Sequence, residues 1–285
     1  MDQTWCIERL AAEKSVQTDY YDAAAAMNRP RRFPSPVNDP DWLEQASSWF
    51  VEGRVCLEIG PGRGEFARAA IRRQGLMQRY YIVDMSRVML DKVMSSLGDC
   101  GGVEVNPICS DIDQDPLPAI PDQSVDRAIM INVFQDLQPL KALRHLRRII
   151  SPDGLLRANM SDREVRDSLR IDDEFFDRET GSFYMTRPPL EERQQDVSPL
   201  GFVNMNGNKV PFYRILKSYY RDQLHEIFQK CGFEIIRETP MILPKKVWMD
   251  SVEGRHKDHI NEKKRELIEK FGGYPGKLDV IARPV

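Results

Sequence analysis

The stretch VCLEIGPGRGEFARAAI, residues 55–71, leaves few folds open to this chain. Val55, Cys56, Leu57 and Ile59 form a short apolar run of the kind a buried parallel strand requires, and Gly60, Pro61, Gly62, Arg63 and Gly64 end it abruptly. Phe66, Ala67, Ala70 and Ile71 then recur at helical spacing, so the glycines occupy a crossover from strand to helix. Glycine there permits positive φ and close approach of a ligand to the backbone, while the new helix offers unpaired N–H groups. The spacing predicts a nucleotide or cofactor cradle. A dinucleotide fingerprint would place its third glycine one residue later, and no Lys-Ser or Lys-Thr pair follows to make a phosphate-binding loop of the Walker type. Glu58 is a poor neighbour for a pyrophosphate, because like charges repel, so the cradle suits a ligand with a cationic or zwitterionic part.

The continuation is regular. RYYIVD, residues 79–84, reads as a second strand ending in Asp84, where a carboxylate can accept hydrogen bonds from a ribose diol. A helix over 86–96 and a strand around 103–108 follow, the latter running into Ser110, Asp111 and Ile112. Asp113 and Asp115 are nearby acidic alternatives. VDRAIMI gives a fourth strand that ends at Asn132, and Phe134, Gln135 and Asp136 fall at its carboxyl end, where open α/β sheets bind ligands. PLKALRHLRRII is an amphipathic helix, with a turn at Pro152, Asp153 and Gly154 before a fifth strand.

The segment through Gly60, Gly62 and Gly64, preceded by Glu58, resembles motif I of the Rossmann-like, S-adenosylmethionine-dependent methyltransferases. The resemblance implies an α/β fold of class I type: a seven-stranded sheet with helices on both faces, its seventh strand antiparallel between neighbours, plus a cap insertion. It implies S-adenosyl-L-methionine as cofactor, with Glu58, Gly60, Gly62, Gly64, Asp84, Met85, Asp111, Ile112, Asn132 and Val133 around it. Adjacent tyrosines, here Tyr20 and Tyr21, resemble those of an N-terminal lid. The implied organisation is a lid segment over 1–40, the cofactor-binding core over 41–160, a cap over 161–213 and the completion of the sheet over 214–285. The cap interval is rich in charge, proline and aromatic residues and holds a hairpin signal at Asn206, Gly207 and Asn208.

Composition narrows the partners. Basic and acidic residues number 41 and 44, for a net charge of −3, which gives no global field for a nucleic-acid backbone. No apolar run approaches membrane-spanning length and the N-terminus lacks the order of a signal peptide, so the expected address is cytoplasmic, with reduced thiols at the five scattered cysteines. His256 and His259 lack metal-ligand companions, and no metal is expected. The expected reaction is methyl transfer to O, N or C of a small molecule of natural-product type. Where a general base is needed, Asp136, His145, Tyr219 and His225 are the candidates. A homodimer is compatible with this reading. The rival readings are a protein or RNA methyltransferase, a nicotinamide oxidoreductase, and a binding protein that keeps the fold without catalysis.

Overall fold

The computed structural model describes residues 35–73, 75–169, 174–177, 182–185, 201–205, 208–212, 214–246 and 262–285. Tyr20, Tyr21, His256 and His259 lie outside them. Helix α1 (Pro40–Phe50) leads into β1 (Val55–Ile59), then α2 (Glu65–Arg73), β2 (Arg79–Asp84), α3 (Arg87–Leu97), β3 (Glu104–Cys109) and β4 (Val125–Ile131). A 3-10 turn (Phe134–Asp136) and α4 (Pro139–Ile149) precede β5 (Ile150–Ser161). The interval that follows holds α5 (Arg163–Leu169), β6 (Glu174–Asp177), β7 (Ser182–Met185), β8 (Gly201–Met205), β9 (Asn208–Phe212) and β10 (Arg214–Lys217). The chain ends with α6 (Arg221–Lys230), β11 (Phe233–Pro244), α7 (Glu262–Phe271) and β12 (Gly273–Pro284).

Seven strands form one sheet in the order β11-β12-β5-β4-β1-β2-β3. β1 pairs in parallel with both β2 and β4, so the strand order reverses between them, the position at which open α/β sheets bind ligands at their carboxyl ends. β12 runs antiparallel to both β5 and β11, as the resemblance implied. Each face has its own core. Helices α1, α2 and α3 cover Cys56, Ile82, Ile129 and Ile131, with Phe50 edge-on to Phe66 and Tyr80 at 5.2 and 5.4 Å. Helices α4 and α6 and the turn after β4 cover Leu57, Ile59, Ala128, Met130 and Leu156.

Local chemistry explains the boundaries. Asp39 caps α1 by accepting from the N–H of Asp41 at 3.2 Å, and Ser86 caps α3 by accepting from the N–H of Met89 at 3.0 Å. Asp126 accepts from the N–H groups of Arg54 and Val55 at 2.9 and 3.0 Å and so fixes the start of β1. Two strands run on through prolines. The Pro152–Gly154 turn is absorbed into β5 as an irregularity of pairing between Val125 and Arg127, and β11 continues through Pro240 to Pro244. An edge strand tolerates those prolines because one side of its backbone needs no partner. On the basic face of α4, Arg148 donates to the carbonyls of Pro116, Leu117 and Ile120 and so clips the loop before β4.

The cap interval, with β10 just after it, makes two small sheets, β10-β7-β6 and the hairpin β8-β9, whose pairing of Met205 with Asn208 agrees with the turn signal there. Strand β10 packs against the 3-10 turn after β4. The insertion is thereby anchored at the carboxyl edge of the main sheet.

Candidate active site

Gly60, Gly62 and Gly64 all hold positive φ, at 66°, 55° and 74°. At Gly60 the requirement is also spatial, because a Cβ would lie 2.3 Å from Cγ2 of Val133. The β1 loop therefore rests directly on the residue after β4. The N–H of Gly60 donates to the Val83 carbonyl at 2.8 Å, which binds the same loop to the end of β2. One backbone knot thus joins the ends of three strands.

Glu58 is 1% exposed, and the hydroxyl of Tyr80 donates to its carboxylate. Burial, together with that neighbouring carboxylate, pushes the Tyr80 phenol well above its ordinary value. Asp84 stands half-buried at the end of β2 and accepts from the N–H of Ser86 at 2.9 Å, a turn that leaves it beside Met85 at the mouth. Asp111 follows β3 and accepts from the N–H of Asp113 at 3.1 Å. Ile112 is buried, and its carbonyl accepts from Nδ1 of His145 at 2.7 Å. Asp113, also buried, receives the N–H of Gln138 through both carboxylate oxygens at 3.0 Å.

Asn132 is the residue with most to explain. It is a non-glycine at φ 59°, a conformation that costs energy unless its surroundings impose it. Its N–H donates to Oδ1 of Asn159 on β5 at 2.8 Å, and its Nδ2 donates to the Ser35 hydroxyl at 3.1 Å. The structure brings Gly60, Asp84, Asp111, Asn132 and Val133 to one edge of the sheet. The proposed bases do not all join them. Asp136 lies on the 3-10 turn itself, whereas His145 is occupied beneath the loop after β3. His225 is exposed on α6 and bonded to Glu238 at 3.1 Å on β11, three strands from β4.

Tyr219 packs edge-on to Phe134 at 6.4 Å and is 9% exposed. Burial first, and the Asp113 carboxylate second, raise its phenol above the ordinary value of 10.0. A group raised in the folded state contributes stability that is fully present below its unfolded pKa, near 10, and is lost as pH rises through the folded value. Replacing Tyr219 with phenylalanine should therefore flatten the alkaline decline in melting temperature above pH about 10, with the profile below pH 9 parallel to that of the parent. A thermal-melt series from pH 7 to 11 reads this directly, and identical slopes in the two proteins would contradict it.

A family model described as methyltransferase domain matches residues 27–238. The chain belongs to that family. As an S-adenosylmethionine-dependent methyltransferase of class I fold, it has solved neighbours over nearly its whole length. The CcbJ methyltransferase from Streptomyces caelestis superposes with a TM-score of 0.55 at 14% identity, covering 94% of this chain and 96% of its own. An S-adenosylmethionine-dependent methyltransferase from Mesorhizobium loti gives 0.54 at 16% identity, with 86% and 97% covered. A search of curated proteins finds no match by sequence.

The methyltransferase cradle fits its cofactor on its own geometry. Val133 fills the Cβ position of Gly60, so only glycine lets the β1 loop close on the end of β4, and the carboxylates of Asp84 and Asp111 follow β2 and β3 at the same end of the sheet, where the family's cofactor acceptors are expected. Sequence reasoning missed Asn159, Ser35 and the pair Arg157–Asp279. The available signal was RANMS, in which Arg157, Asn159 and Ser161 alternate as polar residues within a strand whose pairing on both sides should have favoured apolar side chains.

Proposed function

We propose that this methyltransferase acts on a small-molecule acceptor, transferring the methyl to O, N or C. The observation that carries the reading is the seating of β10 on the turn after β4: the cap insertion is held at the edge where the methyl would be presented. A cap seated there suits a compact acceptor and would exclude water from the transfer. The net charge of −3 adds no steering field for a nucleic acid. Among the described residues no helix is long and apolar enough to cross a membrane.

S-adenosylmethionine supplies an electrophilic methyl on a sulfonium centre, so the protein's work is alignment and exclusion of water rather than covalent chemistry. In this reading Gly60 and Gly62 admit the cofactor to the backbone, Asp84 accepts from its ribose hydroxyls, Asp111 accepts at its base, and Val133 with Asn132 borders the methyl end. Asp136 is the base where the acceptor must lose a proton. Tyr219, held as the neutral phenol, is not.

Replacing Asp84 with alanine should weaken S-adenosylhomocysteine binding by about tenfold or more, since a charge-assisted hydrogen bond contributes roughly 1.5–3 kcal/mol. Asp84→Asn keeps an acceptor for the Ser86 N–H and should lose less. Isothermal titration of the three proteins separates the outcomes; equal affinities would remove Asp84 from the site. For the acceptor, a labelled-methyl assay against cell extract split into small-molecule, protein and nucleic-acid fractions is decisive. Label confined to the small-molecule fraction is expected, and label only in protein or RNA would overturn the substrate class while leaving the cofactor in place.

A further inference from the structure

Asn159 is 1% exposed, and its Nδ2 has no hydrogen-bond partner among the described residues. Its orientation is fixed, because Oδ1 must face the donating N–H of Asn132, so the amide presents its two N–H groups on the other side. Asn132 carries a second buried orphan: with Nδ2 on the Ser35 hydroxyl, its Oδ1 is likewise without a partner. Native proteins rarely leave such groups unmet, and the cost rises when the backbone is also held at positive φ. Here a buried donor and a buried acceptor belong to two residues joined by one 2.8 Å bond, from the backbone N–H of Asn132 to Oδ1 of Asn159, at the carboxyl end of β4 and the adjoining register position of β5.

We propose that Asn159 Nδ2 and Asn132 Oδ1 form a specificity subsite for a neutral group of the methyl acceptor that both accepts and donates, a hydroxyl or a carboxamide. This rests on the small-molecule reading above. Position separates the subsite from the cofactor's nucleoside end: Asp84 and Asp111 follow β2 and β3 on one side of β1, whereas Asn159 lies on β5, beyond β4 on the other. Charge selects neutrality. Arg157, two residues before Asn159 on β5, and Asp279, opposite it on β12, pair with each other at 2.6 Å, and Lys277, next on that face of β12, donates to Gln135 Oε1 at 3.4 Å, so the charges beside Asn159 are already engaged and an ionised ligand group would have to compete for them. Arg157 Nη1 is also unpartnered, but its guanidinium lies over the Trp42 ring at 5.1 Å and the Trp49 ring at 5.8 Å, which accounts for it without a ligand.

The test uses the full chain labelled with 15N-asparagine and saturated with S-adenosylhomocysteine, observed by NMR. The side-chain amide pair of Asn159 is assigned by its absence in Asn159→Asp, which keeps the acceptor for the Asn132 N–H; Asn159→Gln serves if that variant does not fold. Benzyl alcohol and benzamide should shift this pair in a saturable way, and benzoate and benzylamine should bind at least about tenfold more weakly. Toluene should leave the pair unmoved. Absence of any probe-dependent shift would mean that water satisfies the pair, and equal response to the charged probes would mean that neutrality is not selected. A shift complete on S-adenosylhomocysteine alone would give the amide to the cofactor. Each of these overturns the subsite, whereas failure of S-adenosylhomocysteine to bind at all overturns the methyl-transfer reading itself.

Discussion

Replacing Asp279 with alanine should destabilise the fold by about 3–5 kcal/mol and lower its melting temperature on the order of 10 °C. Asp279 on β12 accepts from Nε of Arg157 at 3.1 and 3.0 Å and from Nη2 at 2.6 Å, with both side chains buried between the sheet and α1. The guanidinium cannot shed its proton to escape the apolar surroundings, so removal of the carboxylate leaves a full charge facing two indole rings. Those rings recover only a fraction of the loss. The pair as a whole is a different matter, because desolvating two ions offsets most of their attraction. Arg157→Met combined with Asp279→Leu should therefore recover most of the stability lost in the single variant. Calorimetric or fluorescence-detected melts of the three proteins decide this, and a single-variant loss under about 1 kcal/mol would show that water reaches the guanidinium.

The same pair shows where sequence reading runs out. Motif I, Asp84 and the end of β4 were legible because each is a local event: an apolar run stops, and a glycine or a carboxylate appears at the strand terminus. Arg157 and Asp279 are 122 residues apart, and only the antiparallel register of β12 on β5 brings them together. Asn159 was illegible for a related reason. Alternation of polar and apolar residues ordinarily reports a half-exposed strand, and nothing local says that β5 is central and that α1 covers its polar face. His145 and His225 were plausible bases by residue type, yet helix rotation turns the first onto the Ile112 carbonyl and the second onto Glu238. Residue type proposes chemistry, and only the topology tells which candidates stand near the end of β4.

Gly60→Ala should reduce affinity for S-adenosylhomocysteine by about a hundredfold or more, corresponding to roughly 3 kcal/mol. Two effects are combined in that substitution and can be pulled apart. The φ of 66° alone disfavours an L side chain by about 1–2 kcal/mol. Gly98, at the end of α3, also has a positive φ, 67° with ψ −139°, and nothing within 4 Å of its Cβ position, so Gly98→Ala reports backbone strain free of any side-chain clash in the melt while leaving titration heats unchanged. At Gly60 the added methyl must also displace Cγ2 of Val133 from 2.3 Å, which forces the β1 loop and the residue after β4 apart at the point where they jointly shape the cradle. Val133→Ala in the same chain removes that atom and should restore part of the binding, though not the share due to φ. The fraction recovered measures how far cofactor affinity depends on the contact between the two strand ends. A Gly60→Ala protein that binds as tightly as its parent would place the cofactor away from this turn, and with it would go the inference from glycine spacing to cradle.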